Sequence, residues 1–386
     1  MTSRDPQQGL FVLLEAAVAA GTFPGCVALV WRDGALLYHE AHGHFATHVD
    51  GPERFRGVTR SAVYDLASLT KVLCTTTLAA IAVSEGKVGL DHEVPAPWSA
   101  AWGEGPRATL GDLLAHSGGL AAHREYFAEL GRRGPGERVL GLVTATPLAY
   151  PVGAQAVYSD LGFILLGDFL EQRGQARLDQ QLEPWLQPLG LALSFLPLTG
   201  EKPLPVDCAQ TRRESPAREL LTGVVHDDTA RAMLGVAGHA GLFGTARAVF
   251  NLAQLLLACY HGDHAAQRAL RVSAATVQRF FAPILVPGLR TTWGLGWDHP
   301  DPHPPAGSDE STTSSAGRLW SRAGVGHLGF TGCSVWLDPA LHAVAVLVSN
   351  RVCVATSAEA EQTKAGMRRL RPQLHDALMH SWQQPR

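Results

Sequence analysis

The chain has 386 residues, of which 46% are hydrophobic and 17% charged, and a formal net charge of −3. That is enough chain to bury a large core in one elaborate domain or two. The near-balanced charge gives no electrostatic reason to expect nucleic acid or an anionic membrane as partner. Residues 7–20 alternate as an amphipathic helix closed by Gly21. Cys26 to Trp31 and Ala35 to Tyr38 are β-rich runs on either side of Arg32-Asp33-Gly34, a hairpin signature. After a polar loop, Leu69 to Ser84 contains neither Pro nor Gly, carries the apolar residues Leu73, Leu78, Ile81 and Val83, and meets a stop at Glu85-Gly86-Lys87. This predicts a buried helix of about four turns, with Ser68 on its first turn and Lys71 one turn along on the same face.

From about Asp91 to Arg290 the chain reads as mostly helical and loop-rich, with helices near 109–116, 159–173, 245–260 and 273–282. Residues 300–317, rich in Pro, Ser, Gly and Asp, read as a flexible surface loop. Strand character returns in Gly332 to Leu337 and His342 to Ser349, joined by Asp338-Pro339-Ala340-Leu341. A closing amphipathic helix passes through Met367, Leu370, Leu374 and Leu378. Strands at both ends with helices between predict an α/β fold of the α+β type, with one antiparallel sheet built from both chain ends and flanked by helices. Residues 1–90 and 291–386 would form the sheet domain and 91–290 a mostly helical one, with a site in the crevice between them.

Arg4 and Asp5 precede only a short apolar segment, Leu10 to Leu14, which Glu15 interrupts, so the amino terminus does not read as a secretory signal. No apolar run approaches the length that crosses a bilayer. The six cysteines (Cys26, Cys74, Cys208, Cys259, Cys333, Cys353) include no Cys-x-x-Cys pair. Buried free thiols in a reducing compartment, and so a cytoplasmic protein, are the expectation unless the sequence has already been processed.

Three clusters carry chemistry. In Ser68-Leu69-Thr70-Lys71, a hydroxyl at a helix N-terminus has an amine one turn away. Such an amine accepts the serine proton if burial lowers its pKa, and the helix end favours developing negative charge. Tyr158-Ser159-Asp160 follows Pro151-Val152-Gly153 and precedes the helical run Leu161 to Leu170; alone, Ser159 or Asp160 would read as an N-cap. Gly326-His327-Leu328-Gly329-Phe330-Thr331-Gly332 stands just ahead of a strand, and alone its glycines would read as a bulge or tight turn.

In this order, Ser-x-x-Lys, Tyr-x-Asp and His-x-Gly resemble the serine β-lactamase and penicillin-binding-protein superfamily. The chain looks nearest the branch with a tyrosine motif: class C β-lactamases, D-aminopeptidase and DD-carboxypeptidase relatives, and esterases on that fold. The resemblance extends over Phe23-Pro24-Gly25, Asp65-Leu66-Ala67-Ser68, Leu113-Leu114-Ala115-His116-Ser117-Gly118-Gly119-Leu120, Tyr158-Ser159-Asp160-Leu161-Gly162, Ala237-Gly238-His239-Ala240-Gly241-Leu242-Phe243 and Trp293-Gly294-Leu295-Gly296-Trp297. It implies a β-lactamase/transpeptidase-like fold and a serine hydrolase acting through an acyl-enzyme. Ser68 would attack a carbonyl, and Lys71 and Tyr158 would share the proton work. Which is the formal base stays open, because a close Lys–Tyr pair shares its protons. Both groups ordinarily titrate near about 10, so one must be lowered for work near neutrality. The oxyanion hole would be the backbone N–H groups of Ser68 and Phe330.

Two departures bear on substrate. His327 stands where β-lactamases carry Lys, and a histidine neutral above about pH 6.5 holds an anion less firmly. Asp160 stands in place of Asn; it would keep Lys71 protonated unless it points away, or would repel an anionic substrate. Both disfavour β-lactams and favour a peptidase, amidase or esterase. His327, Gly329 and Asp160 are therefore expected at the substrate. The stretch Val225-His226-Asp227-Asp228 with Gly235-Val236-Ala237-Gly238-His239 looks like a subset of the family associated with cell-wall fragments. His226, Asp227 and His239 would border the pocket, or the histidines would cap helices and bridge loops.

His39-Glu40-Ala41-His42-Gly43-His44 invites a metal, but its spacing is that of a strand edge rather than of a helical zinc site, and His299 and His303 fall in a loop. No metal is expected. No glycine-rich phosphate loop follows a strand, so no nucleotide cofactor is expected either. Three functions remain: a serine hydrolase on a muropeptide or D-amino-acid peptide, a promiscuous carboxylesterase, or a binding protein that has lost turnover. Intact Ser68, Lys71 and Tyr158 count against the last. The partner is a small-molecule or peptide substrate, and the sequence is silent on oligomeric state.

Overall fold

The computed structural model describes residues 6–95, 98, 101–103, 105–126, 137–200, 202–213, 219–284, 291–301 and 314–380. Most of the loop expected at 300–317, with His303, lies outside them. In chain order the main elements are helix α1 (Pro6–Ala19), strands β1 (Gly25–Arg32), β2 (Ala35–Gly43) and β3 (Tyr64–Asp65), and helix α2, wound from Lys71–Thr76 and Thr77–Ser84. Then come α3 (Leu110–Leu114), α4 (Glu137–Thr144), α5 (Asp160–Gly174), α6 (Leu178–Leu186), β4 (Leu193–Phe195), β5 (Gln210–Arg212), β6 (Leu220–Thr222), α7 (Asp228–Ala232) and β7 (Leu242–Gly244). The chain closes with α8 (Ala246–Tyr260), α9 (His264–Leu270), α10 (Ala274–Phe280), β8 (Val325–Leu328), β9 (Ser334–Asp338), β10 (Ala343–Ser349) and α11 (Ser357–His380).

Five strands form an antiparallel sheet in the order β2-β1-β10-β9-β8, so the two chain ends meet at its centre, where Cys26 faces Ser349 and Arg32 faces Ala343. The Asp33-Gly34 turn between β1 and β2 has positive φ at both residues, +47° and +85°, the geometry whose twist matches a two-residue hairpin. The β9–β10 turn is closed by the Asp338 carboxylate, which accepts from the N–H groups of Ala340 and Leu341.

Both sheet faces are covered, which is why β10 is buried along its whole length. Cys26, Ala28 and Val30 of β1 point to one side, where Leu10 and Leu14 of α1 meet Met367, Leu370 and Leu374 of α11. Val27 and Leu29 point to the other, where α8 lays Val249, Leu252 and Leu256 on the sheet. Helix α8 thus packs on the sheet although it comes from the span 91–290. Beyond it, the same apolar core runs without a break into α3, α5 and α6 through Leu113, Phe163 and Leu182. A second small sheet, β3-β7-β4, pairs Asp65 with Phe243 and sets the chain leading into Ser68 beside residues 237–241. No helix among the described residues is long and apolar enough to cross a membrane.

Candidate active site

Ser68 lies at the turn leading into helix α2, one step before the first turn on which the sequence places it. The reason is local. The buried Asp65 carboxylate accepts from the N–H of Ala67 at 2.8 Å and from that of His226 at 2.7 Å. Ala67 itself has φ +48°, a conformation that costs a β-carbon residue on the order of 1–3 kcal/mol. Thr70 then closes the turn by donating both its N–H (3.0 Å) and its hydroxyl (2.6 Å) to the Ala67 carbonyl. Residues Lys71–Thr76 are wound more widely than an α-helix, as π-helical turns often are at functional sites. Thr75 anchors this segment through its hydroxyl to the Gly238 carbonyl at 2.6 Å.

Tyr158 precedes α5, whose N-cap is Ser159: its hydroxyl accepts from Gly162 N–H and donates to the Ala121 carbonyl. The same turn carries Asp160 as the first helical residue. The Tyr158 hydroxyl donates to Ser68 Oγ at 2.7 Å, and Lys71 Nζ donates to Ser68 Oγ at 3.0 Å. Lys71 is fully buried and also donates to Asp160 Oδ1 (2.7 Å) and to the His239 carbonyl (3.0 Å), which satisfies the three N–H bonds of an ammonium.

Asp160 therefore points at Lys71 rather than away. Burial opposes the Lys71 charge, but the Asp160 carboxylate and the Tyr158 oxygen outweigh it and hold the amine above its ordinary pKa. Burial likewise pushes the Tyr158 phenol up to about 12, against the pull of Lys71. Burial also works against the Asp160 charge, yet Lys71 and His123 hold this carboxyl well below the usual range. At rest the centre is ammonium, phenol and carboxylate. Loss of one proton from the Lys–Tyr pair leaves a base within hydrogen-bond reach of Ser68.

The third motif lies on edge strand β8. His327 is buried, its Nδ1–H donates to the Leu328 carbonyl at 2.9 Å, and its pKa is pushed down to about 3 by burial and by Lys71. The ring is neutral and its Nε2, which has no hydrogen-bond partner among the described residues, offers a lone pair rather than a positive charge. Gly329 opens a tight turn in which Gly329 N–H reaches Cys333 O (2.8 Å) and Gly332 N–H reaches Gly329 O (3.0 Å). A β-carbon on Gly329 would meet the Leu66 carbonyl at 2.7 Å, so only glycine lets this turn approach the Ser68 segment. Thr331 ties the two segments together by donating its hydroxyl to the Asp65 carbonyl at 2.7 Å. Neither the Ser68 N–H nor the Phe330 N–H has a partner among the described residues, as an oxyanion site requires.

The other expected substrate residues have structural partners as well. Asp227 caps α7 and holds His239 Nε2 at 3.0 Å, while the His239 carbonyl receives Lys71. The His226 ring stacks on Phe330 at 5.7 Å.

Further residues complete the site without having been given a role from sequence. His116 and Trp293 lie in the matched segments and pack on Tyr158 at 4.9 and 5.4 Å between centroids. His116 Nδ1 also accepts the Ser159 N–H at 3.0 Å and so fixes the start of α5. His123, three residues after the matched segment 113–120 but outside it, sits 3.3 Å from Asp160 Oδ2.

Known proteins resemble the chain over nearly its whole length. A family model described as Beta-lactamase matches residues 12–365. A "Putative D-alanyl-D-alanine carboxypeptidase" of Escherichia coli (strain K12) is 31% identical over 361 residues, covering 85% of this chain and 79% of that protein. An "N-acetylmuramyl-L-alanine amidase" of Bacillus subtilis (strain 168) is 29% identical over 88% of this chain and 79% of its own. Among solved structures, EstCE1, "a hydrolase with promiscuous acyltransferase activity", superposes with a TM-score of 0.70 at 21% identity, covering 95% of this chain and 98% of that one.

Proposed function

This chain belongs to the Beta-lactamase family and is a serine hydrolase, and from that premise we propose that Ser68 is its nucleophile and that it works through an acyl-enzyme on an amide or ester. The observation that carries this is the approach of Lys71 Nζ (3.0 Å) and Tyr158 Oη (2.7 Å) to one serine oxygen. Once the Lys71–Tyr158 pair has given up one proton, Ser68 attacks the carbonyl, its proton passes to that pair, and Tyr158 relays a proton to the leaving group. The Ser68 and Phe330 N–H groups receive the oxyanion, and water then releases the acyl group by the reverse path. One oxyanion donor contributes about 3–4 kcal/mol to the barrier lowering in such enzymes.

The substrate class we favour is a muropeptide or D-amino-acid peptide, in line with the names of the relatives. The six cysteines are unbridged and buried, which suits a cytoplasmic enzyme recycling cell-wall fragments. The neutral His327 favours a second reading, a carboxylesterase of broad range, because it supplies no cation for a substrate carboxylate.

Intact-mass detection of an acyl-enzyme across a muropeptide, a D-alanyl peptide, a nitrophenyl ester and a cephalosporin, with Ser68→Ala as control, tests both. Ser68-dependent adducts or turnover with the peptides support the first reading. Turnover confined to the ester selects the second, and no Ser68-dependent adduct in any arm overturns both.

A further inference from the structure

Arg371, on the closing helix α11, belongs to no motif, and its guanidinium turns away from solvent toward the back of the third-motif turn. Its Nη2 donates to the carbonyl oxygen of Gly329 at 3.0 Å and to that of Cys333 at 2.9 Å. The Gly329 carbonyl and the Phe330 N–H are opposite ends of one planar peptide unit. A cation bonded to the oxygen draws electron density along that unit, makes the N–H a stronger donor and fixes the plane in which it points. The oxygen receives a second donor from Gly332 N–H at 3.0 Å. The Ser68 N–H is treated in the same way. Its peptide partner, the Ala67 carbonyl, receives both the N–H and the hydroxyl of Thr70.

We propose that Arg371 is a positioning residue of the oxyanion hole: from behind the sheet it polarises and orients the Gly329–Phe330 peptide, so that the Phe330 N–H meets the charge developing on the substrate oxygen. This rests on Ser68 being the acylated serine. Arg371 touches no substrate, and its contribution is therefore to the chemical steps rather than to binding. Burial and the neighbouring Arg351 lower the guanidinium pKa to about 10, which leaves it cationic at neutral pH.

The test compares wild type with Arg371→Met, which fills the space without donors, and Arg371→Lys, which restores a cation and one bond. Four quantities are read: kcat and KM on a nitrophenyl ester, the carbonyl stretch of the Ser68 acyl-enzyme by isotope-edited infrared difference spectroscopy, and Tm. In Arg371→Met, kcat is expected to fall about tenfold to a hundredfold, with KM within about threefold, and the acyl carbonyl to absorb at higher frequency because it is less polarised. Arg371→Lys recovers part of both changes. An acyl carbonyl at the wild-type frequency in both variants, or a kcat loss that follows Tm with no recovery in Arg371→Lys, overturns the proposal. If Arg371→Met does not fold, the Arg371→Lys frequency decides alone, and a wild-type value sinks the idea. Failure of the wild type itself to form an ester at Ser68 is a separate result, which removes the assignment of the nucleophile and this inference with it.

Discussion

Asp160 in place of the asparagine of β-lactamases puts a carboxylate 2.7 Å from the buried Lys71 nitrogen, and the consequence is a proton held too tightly. The carboxylate raises the pKa of Lys71 and that of Tyr158, and activity depends on that pair giving up a proton. The rate should therefore climb with pH on the alkaline side. Asp160→Asn removes the negative charge, lowers both pKa values and moves the rising limb of the kcat/KM profile on a nitrophenyl ester to lower pH, by about a unit or more for a contact this close. A limb that stays put or moves upward would mean that Asp160 does not set the basicity of the pair. The residue types and the order of Ser68, Lys71 and Tyr158 were legible from spacing and resemblance. The direction Asp160 faces was not, because it depends on how α5 packs on α2 and on the exposed His123, which belongs to no pattern.

Elements place those residues through contacts that spacing does not encode. Helix α5 crosses the 237–241 segment where a β-carbon on Gly167 would lie 2.9 Å from the Gly238 Cα and N, both backbone atoms. Gly238 in turn leaves no room for a β-carbon of its own, which would fall 2.1 Å from the Phe163 carbonyl. This crossing brings Asp160 on α5 and the His239 carbonyl to the same ammonium. In an exposed helix interior, Gly to Ala stabilises by about 1 kcal/mol. At Gly167 the sign should reverse: Gly167→Ala is expected to lower the unfolding free energy by about 1–3 kcal/mol and to reduce kcat, read by urea denaturation and ester turnover. A gain in stability would show that the crossing is loose. The hairpins at Asp33-Gly34 and Asp338-Pro339 were readable because their turn chemistry is local. The offset of Ser68 from its helix and the wide winding after Lys71 were not, since Asp65, Thr70 and Thr75 tie this stretch to the His226 N–H, the Leu242 N–H and the Gly238 carbonyl of distant segments.

At the scale of the molecule, the two chain ends close one sheet and the reacting groups are gathered from far apart in sequence, with Lys71 and Asp160 separated by 89 positions. Such a site survives only if its parts cannot move independently, and the core supplies that constraint. Val27, Leu29, Val335 and Val346 from the sheet belong to the same apolar cluster as Leu113, Leu161 and Phe163 from the helices around Tyr158, with Val249 and Leu252 of α8 between them. Opening a gap between the sheet and these helices would expose that cluster at about 25 cal/mol for each Å² of apolar surface, so neither part gains by unfolding first. The expected calorimetric trace is a single transition with van't Hoff and calorimetric enthalpies in agreement, and acylation of Ser68 should move the whole transition upward rather than split it. Two resolved transitions, of which only one responds to acylation, would show that the sheet and the helical region are separate folding units and that the site between them is held by the side-chain bonds alone.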